Sequence, residues 1–182
     1  IMHEAMQLLR ECVGDKLLLG CGIPMSAAYG VCDACRISCD VDLTYKGKIY
    51  NHIHVANEML SAQSAINNSI FRRHLNGRVF MNDPDVFFLR NNNLKFTWEQ
   101  KKLLAKINNL CGNVLFVSDN AGDYDAVQMS LLKQYFKKTD EKILSAEYLD
   151  DRIISIITEE NGKKKEFAFD LKAGKVLKDC EI

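Results

Sequence analysis

Apolar positions recur through the first three quarters of the chain in two alternating rhythms. His3 to Val13 has helical spacing, with Met6, Leu9 and Val13 on one side and Gly14 as a stop. Lys16-Leu-Leu-Leu-Gly20 is a short continuous apolar run, the pattern of a strand buried on both faces. Tyr29-Gly-Val-Cys-Asp-Ala-Cys-Arg-Ile37 repeats that pattern with charged members inside it. Val55 to Leu75 predicts a helix ending near Asn76-Gly77. Arg78-Val-Phe-Met81 predicts a strand, and Asn82-Asp-Pro-Asp85 a loop between it and Val86-Phe-Phe-Leu89. Thr97 and Gln100 have the spacing of a capping box for a helix that runs to Leu110 and stops at Gly112. Asn113-Val-Leu-Phe-Val117 predicts the next buried strand. Asp123 and Asp125 open the following helix and Lys137 and Lys138 close it, matching the macrodipole at both ends. Strands alternating with helices through short connections argue for an α/β fold with a parallel sheet and right-handed crossovers.

After about Asp140 the rhythm changes. Ile143 to Leu149, Arg152 to Thr158 and Glu166 to Leu171 alternate with a period near two, and Asn161-Gly162 between the last two is a hairpin signal. Three or four strands of a small antiparallel sheet are expected here.

Composition narrows the function classes. The chain has 182 residues, of which 47% are apolar and 26% charged, as in globular proteins. Formal net charge is zero, so no electrostatic footprint for nucleic acid or an anionic membrane is present, and neither is expected as a partner. No apolar run approaches the ~20 residues that span a bilayer. The first residue is isoleucine, which predicts that the natural start lies upstream, where a signal peptide could have been lost with it.

The chain holds seven cysteines. Cys21, Cys32, Cys35, Cys39 and Cys111 lie in or beside apolar runs, where reduced cysteine packs as a small hydrophobe, and a reducing cytoplasm is the simpler compartment. Cys32, Cys35 and Cys39, with Cys21 upstream, also have the numbers for a metal or iron–sulfur site. Against that, residues three apart in a strand face opposite sides, so Cys32 and Cys35 are not expected to converge. His52 and His54 form a His-x-His in an Asn-rich stretch that reads as a solvated connector, and Met2, Met6, Met59 and Met129 read as gap-filling core. No metal and no cofactor is expected.

Polar residues follow each predicted strand: Gly20 to Pro24, Arg36 to Asp40, Asn82 to Asp85, and Ser118 to Asp123. In a parallel sheet all four clusters lie at the C-terminal strand ends, where α/β folds build their sites. Each cluster also suits ordinary turns and caps, most clearly at Asp123.

Leu18-Leu-Gly-Cys-Gly-Ile-Pro24, then Asp33-Ala-Cys-Arg-Ile-Ser-Cys-Asp40, then Arg78-Val-Phe-Met-Asn-Asp-Pro-Asp85 resembles glycoside hydrolase family thirty-six, the melibiase-like α-galactosidases. The resemblance runs from about Ile1 to Asp125. It implies the second half of a (β/α)₈ TIM barrel, strands five to eight, over residues 1–140. The start of a small antiparallel β-sandwich domain would follow over residues 141–182. By the same resemblance Asp40 matches the general acid/base, and Arg36 an arginine that contacts the sugar and the nucleophile. Cys21, with Gly22 beside it, falls at the sugar pocket. Asp83, Asp85 and Asp119 are supporting positions at the same strand ends. The family's nucleophile belongs to a Lys-x-Asp motif on strand four, which is expected upstream of Ile1. Where many relatives carry an aromatic residue shortly after the acid/base, often tryptophan, this chain has Asp42-Leu-Thr-Tyr45.

The implied reaction is hydrolysis of terminal α-linked galactose from oligosaccharides by double displacement. Two carboxyl groups about 5–5.5 Å apart are needed, one to attack the anomeric carbon and one to protonate the departing oxygen and then deprotonate water. Asp40 must carry its proton at the start, which calls for burial and a nearby anion, while Arg36 opposes that. Two alternatives stay open: a galactosyl transferase like raffinose synthase, and a non-catalytic carbohydrate-binding fragment. The 182-residue chain alone is expected to be inactive, and the full-length protein could form a homo-oligomer.

Overall fold

The computed structural model describes residues 1–47 and 60–182. The predicted stretch from Val55 to residue 59, with His52, His54 and Met59, lies outside the described residues. In chain order the elements are α1 (Met2–Val13), β1 (Leu19–Gly20), α2 (Met25–Ala28), β2 (Ala34–Arg36), α3 (Ala62–Phe71), β3 (Met81–Asp83), β4 (Val86–Phe87), α4 (Trp98–Cys111), β5 (Phe116–Val117) and α5 (Ala126–Phe136). Four longer strands complete the chain: β6 (Lys142–Tyr148), β7 (Ile153–Glu160), β8 (Lys163–Asp170) and β9 (Lys175–Glu181).

Every pairing among β1 to β5 is parallel. β1, β2 and β3 form one ribbon, and β4 pairs with β5 in another. β3 and β4 are two halves of one run parted at Pro84-Asp85, inside the predicted loop, whose Asn82 and Asp83 belong to β3. Proline offers no amide to a ladder, and Asp85 takes φ 77°, a left-handed conformation no regular strand contains. The upstream half therefore pairs back to β2 and the downstream half pairs on to β5. The amides of Asn113 and Val114 reach across to the Asn82 carbonyl at 3.0 and 3.1 Å, holding the approach to β5 against β3.

The strands are shorter than the apolar runs that announced them. Of Lys16–Gly20 only Leu19 and Gly20 pair, and Leu17 is exposed, so the run is not buried on both faces. Phe116 in β5 is exposed as well. Both strands stand at edges of the described ribbons, where one side has no paired neighbour. Tyr29 to Ile37 begins as a turn: Gly30 takes φ 71°, and the amides of Val31 and Cys32 return to the Ala28 carbonyl. That turn changes the cysteine geometry. Cys32 precedes the strand, so it and Cys35 both pack into one cluster with Met6, Val31, Ile37 and Phe80, not onto opposite faces as expected. The Arg78–Met81 run likewise starts as a turn, with the Arg78 and Val79 amides on the Leu75 carbonyl.

Helix ends follow their sequence signals closely. Thr97 and Gln100 form the full capping box of α4, and Asp125 with Gln128 forms another at α5. Asp123 does not open α5; it sits in a single 3₁₀ turn, Ala121–Asp123, just before it. Ser61 caps α3, and a 3₁₀ turn at Arg73–Leu75 follows that helix. In α1 only Met6 is buried, so the Leu9 side of the expected stripe is uncovered. Met2 is exposed too, and does not fill a gap.

The last four strands pair antiparallel in chain order. Asn161 and Gly162 take φ 53° and 78°, the two positive values of a tight hairpin turn. Ile154, Ile156, Phe167 and Phe169 on one face of this sheet share a single core with Phe87, Leu89, Leu103, Leu104 and Ile107. The sheet thus packs directly on α4. At the C-terminal end of α4, Gly112 meets Pro84 so closely that an added Cβ would lie 2.6 Å from the proline Cδ. Among the described residues, no helix is long and apolar enough to cross a membrane.

Candidate active site at the strand ends

Arg36 is the last residue of β2, and Asp83, the last of β3, is its register partner. Neighbouring residues on parallel strands present their side chains to the same face, which brings the guanidinium against the carboxylate. Arg36 Nε donates to Asp83 Oδ2 at 2.9 Å. Its Nη1 lies 2.9 Å from Asp85 Oδ1 and 3.1 Å from Asp40 Oδ1. One arginine therefore gathers three carboxylates from two strand ends.

These carboxylates differ in environment. The side chain of Asp83 is 0% exposed, that of Asp85 8% and that of Arg36 15%, while Asp40 is 73% exposed. Asp40 is the member that faces solvent, so the described residues do not bury it as the chemistry of a general acid had suggested. Burial works against the charge on Arg36, but its bond to Asp83 and the fields of Asp85 and Asp83 outweigh that and raise its pKa above the ordinary value. Burial pushes the Asp85 carboxyl up, against the opposing pull of the Val41 amide and Arg36.

The turn carrying Asp85 is tied at many points. The Asp85 amide donates to Asp83 Oδ1 at 2.9 Å, and Asn108 Nδ2 donates to the Asp85 carbonyl at 2.9 Å. Ser38 Oγ donates to the Pro84 carbonyl at 2.8 Å. Asp85 Oδ2 accepts the Val41 amide at 2.7 Å.

Cys21 is exposed immediately after β1, whose last residue, Gly20, is the register partner of Cys35 in β2. Gly22 follows with φ 69° and open space where a side chain would stand. Three of the four polar clusters thus come together. The fourth does not join them. The side chain of Asp119 is fully buried and accepts the Leu89 amide at 2.5 Å, the Arg90 amide at 2.9 Å and Arg90 Nη1 at 2.8 Å, with the Tyr124 hydroxyl as a further donor. It braces the loop after β4 against the loop after β5, and none of those partners belongs to the Arg36 group.

Sequence reasoning missed Ser38, Asn108, Arg90 and Tyr124. Their partners lie 5 to 46 residues away, and no local spacing marks them. Among the described residues no group of three or more His, Cys, Asp or Glu could hold a metal ion. In the carboxylate cluster the cation is the guanidinium. A separate groove of about 540 Å³ lies between α4, the segment after α5 and the antiparallel sheet, with Lys106 and Asp179 paired across it at 2.8 Å. None of Cys21, Arg36, Asp40, Asp83 and Asp85 lines it.

No protein-family model matches the chain. Among solved structures, 89% of the chain superposes on an α-galactosidase from Thermus thermophilus in complex with p-nitrophenyl α-D-galactopyranoside, with a TM-score of 0.68 and 20% identity. A stachyose complex of that enzyme superposes over 75% of the chain with a TM-score of 0.67 and 23% identity. The chain corresponds to 32% of the first structure and 30% of the second, about a third of that enzyme's length. Parallel strands followed by an antiparallel sheet thus make a fold similar to that of about a third of an α-galactosidase.

Proposed function

We propose that this chain is part of a retaining α-galactosidase of glycoside hydrolase family thirty-six. It supplies the second half of the (β/α)₈ barrel and the start of a C-terminal β-sandwich. Asp40 is the general acid/base, and the attacking carboxylate comes from a Lys-x-Asp segment upstream of Ile1. The substrate is a terminal α-galactoside of an oligosaccharide.

The observation that carries this reading is the contact between Arg36 Nη1 and the exposed Asp40 carboxylate at the strand ends. The motif order is what assigns Arg36 and Asp40 these roles, and their contact supports reading them as one unit. An exposed carboxyl held by a guanidinium can reach a ligand from a fixed direction, and the rest of the barrel would close over it and exclude water. Arg36 itself is anchored by Asp83 and Asp85, which fixes the nitrogen that meets Asp40. Seven free thiols fit a reducing compartment.

The test is Asp40→Ala in the full-length protein. Hydrolysis of substrates with poor leaving groups is expected to fall by ~10²–10⁴-fold, the usual contribution of general acid catalysis. Substrates with activated aryl leaving groups need no proton, so their first step survives and the glycosyl-enzyme accumulates. Added azide then restores turnover with the anomeric configuration retained. Equal losses on both substrate types without azide rescue would overturn the assignment. The 182-residue chain alone is expected to show no hydrolysis, for want of the attacking carboxylate.

A further inference from the structure

We infer that Asp85 is the positioning residue for Asp40, holding the backbone beside it with one oxygen and sharing its arginine with the other. Oδ2 accepts the amide of Val41, the residue after Asp40, at 2.7 Å. Oδ1 lies 2.9 Å from Arg36 Nη1, the same nitrogen that reaches Asp40 Oδ1 at 3.1 Å. Asp83 acts elsewhere. Its oxygens accept from Arg36 Nε and from the Asp85 amide, and neither contacts the Asp40 segment.

Asp85 is itself over-determined. Its amide is fixed by Asp83, its carbonyl by Asn108, and Pro84 before it restricts the approach of the chain. A non-glycine residue at φ 77° persists only where its surroundings insist on it, and the strain here serves to aim a buried carboxylate at the loop after β2. Burial pushes that carboxyl's pKa up, so its ionised form depends on the partners it positions.

The inference rests on Asp40 being the general acid/base. Its test is Asp85→Asn in the full-length protein, beside Asp40→Ala and Ser38→Ala. Asparagine tolerates positive φ better than most residues, so the turn is expected to survive. It cannot offer two acceptor oxygens or a charge to Arg36. D85N is expected to lose about 10²-fold on methyl α-galactoside and less than about threefold on p-nitrophenyl α-galactoside. S38A breaks a neighbouring tie between the same segments without touching the carboxylates, and is expected to affect both substrates alike. D85N losing activity equally on both, or on neither, would overturn the inference.

Amide exchange at Val41 separates this from a failure of the underlying reading. D85N is expected to speed that exchange by about tenfold or more as its acceptor is lost. Unchanged exchange refutes the positioning role, whatever the kinetics show. Faster exchange with D40A lacking leaving-group dependence upholds the anchoring by Asp85 and instead refutes Asp40 as acid/base.

Discussion

The Tyr45 hydroxyl donates to the Leu171 carbonyl at 2.8 Å, joining residues 126 apart in sequence. The loop that leaves Asp40 is thereby fastened to the end of β8, and burial pushes the Tyr45 phenol's pKa upward. Tyr45→Phe keeps the packing but leaves a buried carbonyl without its donor, an expected loss of about 1–3 kcal/mol. Urea unfolding measures it as a lower midpoint with an unchanged slope. A midpoint within error of wild type would show that water replaces the phenol.

Gly174→Ala is expected to be worse. The residue takes φ 67°, and its added Cβ would lie 2.5 Å from Gln100 Cγ and 2.6 Å from Tyr45 Cζ. Gln100 cannot swing away freely, because its side chain caps α4 through Thr97 and also holds the Ala173 carbonyl. Backbone strain and overpacking together predict a loss of about 2–4 kcal/mol. A thermal melt within a degree or two of wild type would refute it.

Asp119→Ala removes the acceptor for two backbone amides, the Tyr124 hydroxyl and the Arg90 guanidinium. Breaking a buried pair leaves the other charge uncompensated, so about 3–5 kcal/mol is expected, with Asp119→Asn costing less. Equilibrium denaturation gives the values, and equal losses for the two variants would contradict the account.

Asp85 also makes a pH prediction. Burial raises its folded-state pKa, so the stability it contributes is complete below the unfolded value of about 3.9 and declines as pH rises through the folded one. The stability difference between wild type and Asp85→Asn, in which other carboxylates cancel, is expected to be most favourable to wild type in acid and to narrow toward neutrality. A difference that widens with pH would show that Arg36 outweighs burial.

The thiols divide by position. Burial pushes Cys35 up to about 11 and Cys111 up to about 12, and Cys32 is raised by burial as well. Cys12, Cys21 and Cys180 are exposed. Alkylation of the folded protein near pH 8, read by mass spectrometry, is expected to label those three first. Rapid labelling of Cys111 would mean that the α4 core opens.

Much of the fold was legible because its signals are local. The Thr97–Gln100 box and the cap at Asp125 start helices, Gly14 ends one and Asn161-Gly162 turns a hairpin, each acting within a few residues and each where expected. Strand lengths were not legible, since apolar runs such as Lys16–Gly20 do not say how many of their residues find a partner. The interruption at Asn82–Asp85 was legible as a loop, but not that its first two residues would pair with β2 while the residues after it pair with β5. In the site, Arg36 and Asp40 stand four residues apart in one quoted motif, but helical spacing does not apply at a strand end, so their direct contact was not legible. Ser38 with Pro84, or Asp119 with Arg90, meet only after distant segments fold together.

Gly112 lies at the end of α4, against the ring of Pro84. Because its missing side chain lets the proline ring approach, any larger residue there would push on the turn that aims Asp85. The contact makes that helix end a remote adjuster of the strand-end cluster. Substitution at this inconspicuous position would disturb the geometry of the Arg36 cluster from outside it, because an added Cβ would also lie 2.9 Å from the Asn108 carbonyl oxygen.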